Sequence, residues 1–379
     1  MSELNIVPKG ALLIRNGIIE DVGPARRVEN LAGARHAREI DATGRVVMPA
    51  FVDADVALAE PSAAGENGGD QGPIRLMSRK KVLTRAASTM AECASYGCLS
   101  VGAHTRYATD LQNIGKLLRV HKALQKKPIR IRSIFAPQFA PDGTRNPAQL
   151  LDLLTSKWLP AIASKELAAV VELTVAGPEA ALDISMVRTA ATVAAGLGYA
   201  IRLRSPYRLE PVHLQLALAA GAIGIIAPMD TLRAFVGPLS AVGCIRAIPA
   251  SEGFDDSCNA AGSIRSAIGE GAAIALTSSY RLLDASSLNM QYLLHLAVYR
   301  LGLTPEEAIT ATTWNPACSL RLSHVIGSLE PGKSADLLVV DVPDYRELAR
   351  RAGHCDVSLA MRDGQIVLGN AAQGINLPH

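Results

Sequence analysis

Two aspartates separated by one residue are the first side chains in the chain whose types and spacing could do chemistry. Asp53 and Asp55 lie in the mainly apolar stretch MPAFVDADVAL, residues 48–58. Alternate residues of a strand point to the same side, so both carboxylates would reach one site. Such a pair could ligate a metal, act as a general base or pair with an arginine. The side chains on neighbouring strands decide between these roles.

Further polar residues follow the predicted strands at their carboxyl ends. They are His104, Arg106, Tyr107, Gln138, Arg204, Tyr207, Ser278, Ser279 and Arg281. Three arginines meeting at one place would suit a carboxylate or a phosphate, because each guanidinium offers a planar fork of donors. The simpler alternative is that Arg204 forms a salt bridge with Asp55 and fills the cavity, since a buried charge needs a partner. Both can hold at once.

Eight apolar, β-branched runs supply the strands that would position these side chains. They span residues 47–53, 98–104, 129–135, 168–175, 199–205, 221–227, 241–249 and 272–279. Segments with helical periodicity separate most of them, at residues 77–95, 111–125, 147–159, 178–197, 209–220 and 286–300. This alternation predicts an α/β fold, a (β/α)8 TIM barrel over residues 49–326, with its site at the carboxyl ends of the strands.

Hairpin patterns at both ends of the chain predict a second, smaller unit. Asn16-Gly17 separates two short apolar runs, and Asp363-Gly364 separates two more, which is typical of tight turns with positive φ. We expect residues 1–48 and 327–379 to form one small β-sandwich domain. The Gly-rich loop 60–73 follows the first barrel strand, and a lid and a surface insertion are equally compatible with its composition.

Composition excludes several classes of partner. The 38 basic and 35 acidic residues give a formal charge of +3, too small a field to indicate nucleic acid or a membrane surface. The six cysteines form no C-x-x-C motif, and no apolar run is long enough to span a membrane. We therefore expect a cytoplasmic protein with small-molecule or protein partners.

The C-terminal motifs resemble those of the amidohydrolase superfamily. IGSLEPGKSADLLVVD, residues 326–341, is close to the ending of that superfamily, and the following VPDY and the earlier LTPEEAITA narrow the resemblance to imidazolonepropionases. The segment LAEP, residues 58–61, partly resembles the dihydroorotase motif, which is the competing lineage.

The resemblance implies a metal site formed by His-x-His after strand one, a histidine on each of strands five and six, and an aspartate on strand eight. In this chain those positions fall on Asp55, Ala57, Arg204, Ala227 and Ser279. Because no imidazole remains and Arg204 would repel a divalent cation, we expect no cofactor, neither zinc nor another divalent metal. Asp53, Asp55 and Arg204 are the candidate catalytic residues. The candidate substrate-binding residues are His104, Arg106, Tyr107, Gln138, Tyr207, Ser279 and Arg281.

Three functions are compatible with this pattern. The replaced ligands favour a catalytically degenerate protein that acts by binding or as the assembly or regulatory partner of a paralogous active enzyme, in a homo- or hetero-oligomer. The alternative is a hydrolase of carbon–nitrogen bonds in small cyclic amides, imidazolonepropionase- or dihydroorotase-like, with an unusual or metal-independent site. The third is a protein that binds a small anionic ligand.

Overall fold

A computed structural model describes ten segments of the 379-residue chain. They are residues 4–59, 74–106, 108–125, 128–139, 146–175, 182–205, 210–227, 245–249, 260–279 and 287–369. Tyr107, Tyr207, Arg281 and the loop 60–73 lie outside these segments, so the predictions made for them stay untested.

An eight-stranded sheet with parallel neighbours forms the centre of a TIM-barrel-like β/α fold. Its strands are β4 (Phe51–Val56), β5 (Cys98–His104), β6 (Arg130–Phe135), β7 (Val170–Thr174), β8 (Ala200–Arg204), β9 (Gly224–Ile226), β10 (Ile245–Pro249) and β11 (Ile274–Thr277), in chain order. The Thr277 hydroxyl lies 3.4 Å from the carbonyl oxygen of Asp55, which brings the last strand to the first. All eight predicted runs therefore contribute strands to one sheet, and their carboxyl ends lie at one edge.

Helices follow most of the strands. They are α1 (Ala25–Val28), α2 (Arg79–Ser95), α3 (Leu111–Leu124), α4 (Pro147–Asp152), α5 (Leu159–Ala163), α6 (Ile184–Gly196), α7 (Pro211–Ala219), α8 (Ala260–Gly269), α9 (Met290–Tyr299), α10 (Pro305–Thr312) and α11 (Trp314–Ser319). Thr304 caps the start of α10, because its side chain accepts from the Glu307 backbone N–H and the Glu307 side chain accepts from the Thr304 backbone N–H. Helix α8 was not predicted from the sequence.

The first predicted strand is two strands in the structure. β3 (Val46–Pro49) pairs with an antiparallel sheet, whereas β4 begins at Phe51 and joins the parallel one. Ala50 is the junction: its N–H donates to the carbonyl of Asp336, while the next N–H, from Phe51, donates to the carbonyl of Gly97. The chain thus passes from one sheet into the other within a single residue.

The two chain ends form antiparallel sheets that meet. β1 (Gly10–Arg15) pairs with β2 (Ile18–Pro24), and β3 joins β12 (Leu337–Val340), β13 (Val357–Arg362) and β14 (Gln365–Gly369). Asn16 and Gly17, with φ of 53° and 82°, and Asp363 and Gly364, with φ of 49° and 73°, make the predicted turns. Ile19 packs in one apolar cluster with residues of β12 and β13, so hairpins from both ends share a core.

No described helix combines the length and the apolar character needed to cross a membrane. The largest apolar cluster lies between the parallel sheet and its helices and is built mainly from Val, Leu, Ile and Ala. A smaller cluster fills the inside of the sheet, from Val52 and Ile134 to Leu322 and Ile326.

Candidate functional site

Asp53 is fully buried on β4 and is held by hydroxyl groups from the end of β11. Thr277 donates to Oδ1 and Ser278 donates to Oδ2, and the Ser278 backbone N–H lies 3.3 Å from both oxygens. Burial raises the pKa of Asp53 to about 6, even though these hydrogen bonds favour the carboxylate. Asp53 can therefore exchange a proton close to neutral pH.

Asp55 lies two residues further along β4 and accepts from one arginine that follows β5 and from two arginines on β8. The Nη2 of Arg106 donates to both carboxylate oxygens, at 2.8 and 2.9 Å, and Arg202 Nη2 and Arg204 Nη1 each lie 3.3 Å away. Burial opposes its ionisation, but the charge of Arg106, followed by other nearby charges, holds the pKa of Asp55 well below its usual range. Asp55 is an ionised member of a buried ion network and is paired with Arg204, as predicted.

Glu172 on β7 is the second carboxylate of this network. Its Oε1 lies 2.5 Å from Arg106 Nη1, and its Oε2 lies 2.5 Å from Arg202 Nη2. Burial opposes ionisation, but Arg202 and Arg106 lower the pKa of Glu172. Arg202 also donates to the backbone carbonyl of Ala54, at 2.7 Å, and so ties β8 to β4.

Among the described residues, the network carries one more positive than negative charge. Three arginines face two carboxylates, and burial together with the charge of Arg106 keeps the pKa of His104 well below its ordinary value, so the imidazole is neutral. Arg204 is the arginine nearest to solvent: its side chain is 19% exposed, against 8% for Arg106 and 1% for Arg202. The surplus positive charge therefore lies closest to solvent at the carboxyl ends of the strands.

The structure brings most of the predicted residues to this edge and adds three more. Asp53, Asp55, Arg106, Arg204 and Ser279 make direct contacts, with the Ser279 hydroxyl donating to Asp55 at 3.1 Å. Ala57 and Ala227 are buried beyond β4 and β9, His104 ends β5, and Gln138 follows β6 and is partly exposed. Their assignment as ligand-equivalent or substrate-binding positions stays a prediction.

Arg202, Glu172 and Thr277 were missed by sequence reasoning, although a signal was present. Glu172 and Arg202 are charged residues inside apolar strands, and Arg202 alternates with Arg204, so both point to the same side of β8. The structure itself marks Ser279, because its φ of 43° is an angle that residues with a side chain rarely adopt. Such strain is found most often at functional sites.

Comparison with known proteins relates the chain to one family. Residues 254–367 match the model of the amidohydrolase family. An imidazolonepropionase of Brevibacillus brevis is 26% identical over 97% of this chain and 92% of its own length, and one of Porphyromonas gingivalis is 28% identical over 95% and 90%. An adenosine deaminase of Xanthomonas campestris with bound zinc superposes with a TM-score of 0.71, at 15% identity over 96% of this chain and 89% of that one. A 5-methylcytosine deaminase of Klebsiella pneumoniae has the same score, at 17% identity over 97% and 96%.

Two predictions are corrected by these relatives. The interpretation as a catalytically degenerate protein is wrong, because proteins named as enzymes match almost the whole chain. The expectation of no cofactor is also contradicted, since the matching family and these relatives are typically metal-dependent. Replaced residues at strand ends therefore do not by themselves indicate lost activity.

The described side chains do not form a metal site of the expected kind. Both oxygens of Asp55 accept hydrogen bonds from Arg106, and Asp53 is occupied by the hydroxyls of Thr277 and Ser278. Within the described segments, no three His, Cys, Asp or Glu residues are grouped as metal ligands. A guanidinium beside a carboxylate also repels a cation. The donor set around Asp55 does not fit the metal that the family implies, and we derive no chemical step through it.

Proposed function

We propose, on the premise that this is an imidazolonepropionase-like chain of the amidohydrolase superfamily, that it hydrolyses a carbon–nitrogen bond in a small cyclic amide. The observation that carries the proposal is similarity to imidazolonepropionases over 95–97% of the chain. The geometry supports it, because acid–base and cationic groups lie together at the carboxyl ends of the strands, where barrel enzymes have their sites.

Asp53 is the residue we assign to proton transfer. Hydrolysis of an amide needs a group that takes a proton from the attacking water and returns one to the departing nitrogen. A carboxyl group with a pKa of about 6 serves both steps near neutral pH, because it is a stronger base than an ordinary aspartate. Thr277 and Ser278 fix its orientation through their hydroxyl groups.

Arg204 is the residue we assign to charge stabilisation. The attacked carbonyl oxygen becomes negative in the transition state, and a fixed positive group in a dry site lowers the energy of that state. Arg204 is the most exposed arginine of a network with one surplus positive charge.

We also propose the predicted domain division, with residues 1–48 and 327–379 as a small β-sandwich unit and residues 49–326 as a closed (β/α)8 barrel. The shared core of the two terminal hairpins supports this division. A cytoplasmic location, an oligomeric state and a paralogous partner subunit stay predictions.

The test is an assay of the purified full-length chain against imidazolone propionate, dihydroorotate and other small cyclic amides. We expect turnover of imidazolone propionate, a fall in kcat of about 10²-fold or more for Asp53→Asn, and a raised KM for Arg204→Gln. The exposed Lys122→Gln variant is the control and keeps wild-type constants. Elemental analysis of the same sample measures its metal content.

The proposal fails if the wild type turns over no cyclic amide. Equal kcat values for the two proteins would also remove Asp53 from the mechanism. Substrate preference between imidazolone propionate and dihydroorotate then distinguishes the two candidate lineages.

A further inference from the structure

A cavity of about 430 Å³ lies at the opposite end of the sheet from the candidate site. It is formed at the amino-terminal ends of β6, β7 and β8 and is lined by both apolar and charged residues. The lining includes Arg130, Arg132, Glu166, Leu167, Leu197 and Leu322. Its volume is in the range of small-molecule sites.

Arg132 is the distinctive side chain in this cavity. Arg130, Arg132 and Ile134 are alternate residues of β6 and share one face of the strand. Ile134 packs inside the sheet, so both arginines lie on the inner face, at the amino-terminal ends of the strands. Arg130 pairs with Asp336 at 3.1 Å and with Asp363 at 2.8 Å. Arg132 instead donates to the backbone carbonyl of Arg321, at 3.3 Å, and no carboxylate within the described segments forms an ion pair with it.

The charges around Arg132 are positive. Burial is the main cause that lowers the pKa of Arg132, and the charges of Arg130 and Arg321 lower it further. Arg321 itself has a φ of 52° at the end of α11, a position where glycine would be strain-free. Glu166 is the acidic residue that lines the cavity, and it is exposed and forms no ion pair within 4.0 Å in the described part of the chain.

We propose that this basal cavity binds a small organic anion, with Arg132 holding its phosphate or carboxylate group and the leucines contacting its apolar body. A guanidinium that is half buried and surrounded by like charges gains most from a bound oxyanion, because burial strengthens charge-assisted hydrogen bonds. The site is separate from the hydrolytic site and does not depend on the proposed function. Either proposal can fail alone.

The experiment is isothermal titration of the full-length chain with phenyl phosphate and with inorganic phosphate at low ionic strength. We expect both to bind, with phenyl phosphate tighter because its ring contacts the apolar wall. Arg132→Gln should weaken phenyl phosphate binding about tenfold or more, and Arg132→Lys should be intermediate because it keeps the charge and loses the planar fork. Glu166→Gln should bind about threefold tighter, since a competing negative charge is removed.

Arg188→Gln is the matched control, because it changes an exposed arginine outside this cavity and should leave the binding unchanged, and Arg204→Gln reports any anion that binds at the other end of the sheet. Circular dichroism and the melting temperature show that each variant is folded, and Arg132→Lys replaces Arg132→Gln as the test if the latter does not fold. The proposal is overturned by an absence of heat with both ligands or by wild-type binding in both Arg132 variants. Loss of binding in Arg204→Gln alone would also overturn it, since the anion would then bind at the mouth.

Discussion

Asp53 shows how one buried carboxyl group can support activity and reduce stability at the same pH. Its pKa of about 6 exceeds the ordinary value of 3.8, so the folded protein holds a proton that the unfolded chain has released between those values. Ionisation inside the fold is unfavourable, yet the ionised form is the base that the proposed hydrolysis needs. The raised pKa of Asp53 therefore suits proton transfer and lowers the stability of the folded protein above about pH 4.

The first prediction follows from this linkage. For a group whose folded pKa is raised by burial, the native state binds more protons than the unfolded state, so its contribution to stability falls as pH rises from about 4 to about 6. Asp53→Asn removes that dependence. The difference in unfolding free energy between the variant and the wild type should grow by about 2 kcal/mol over this range, measured by urea denaturation at several pH values.

The exposed Asp152→Asn variant is the control and should follow the wild-type profile. If Asp53→Asn also runs parallel to the wild type from pH 4 to 6, Asp53 does not titrate in that range. In the active protein, kcat/KM should rise with pH through about 6 as Asp53 ionises.

The second prediction concerns the buried ion network. Glu172→Gln leaves three arginines with the single carboxylate of Asp55, and we expect it to cost about 3–5 kcal/mol, because an uncompensated buried charge is strongly destabilising. Arg204→Gln should cost about 1 kcal/mol or less, since Arg204 is partly exposed and removes the surplus charge. Urea denaturation of both variants gives the comparison.

The double variant Glu172→Met with Arg202→Met tests the reason for the loss. Replacing both partners by apolar side chains should recover part of the stability that Glu172→Gln loses. An equal cost for Arg204→Gln and Glu172→Gln would show that charge balance does not control the stability of this network.

At the scale of elements, strands β4 and β5 approach each other closely at Gly102. A Cβ atom on this residue would lie 2.4 Å from the carbonyl oxygen of Ala54, the same oxygen that accepts from Arg202. Backbone contact at this distance requires β4 to move, and β4 carries both aspartates of the site. Glycine here allows the strand to hold its charged side chains in place.

The third prediction is that Gly102→Ala lowers stability by about 1–3 kcal/mol and also lowers kcat, because overpacking displaces β4. Gly196→Ala is the matched control: it lies in α6 with open space around its Cα, and alanine there should be neutral or slightly stabilising. Thermal unfolding and the amide assay check both changes. A Gly102→Ala protein as stable and active as Gly196→Ala would contradict the close-packing argument.

Elements were easier to predict from the sequence than the contacts between them. Alternation of apolar runs with helical segments gave the strands, because each run must be buried on both faces of a parallel sheet. The division at Ala50 was not predictable, since residues 46–56 form one continuous β pattern and only the partner strands separate them. The pairing of Asp55 with Arg204 was predicted, whereas Glu172 and Arg202 were read as ordinary strand residues.

At the scale of the whole molecule, a polar junction joins the C-terminal sheet to the base of the parallel sheet. Asp336 is buried there and accepts from Arg130 at 3.1 Å, from the Ser334 hydroxyl at 2.6 Å and from the Asp363 backbone N–H at 2.9 Å. Lys333, next to this group in sequence, lies over the Trp314 ring with Nζ 4.1 Å from the ring centroid. The C-terminal motif that resembles the superfamily ending therefore links the two parts of the fold.

The fourth prediction is that Asp336→Asn weakens this junction before it weakens the barrel. The chain has two tryptophans, Trp314 at the junction and Trp158, which is buried against Phe135 and Phe139 in the barrel. With Trp158→Phe or Trp314→Phe as the background, the fluorescence of the remaining tryptophan reports the unfolding of one region. In the otherwise wild-type protein, the two urea transitions should coincide. Among the described carboxylates, Asp336→Asn leaves Arg130 with the half-exposed Asp363 alone, so the Trp314 transition should move to lower urea by an amount worth about 3 kcal/mol while the Trp158 transition moves less. Equal displacement of both transitions would mean that the junction is not a separable unit and that the two sheets unfold together with the barrel.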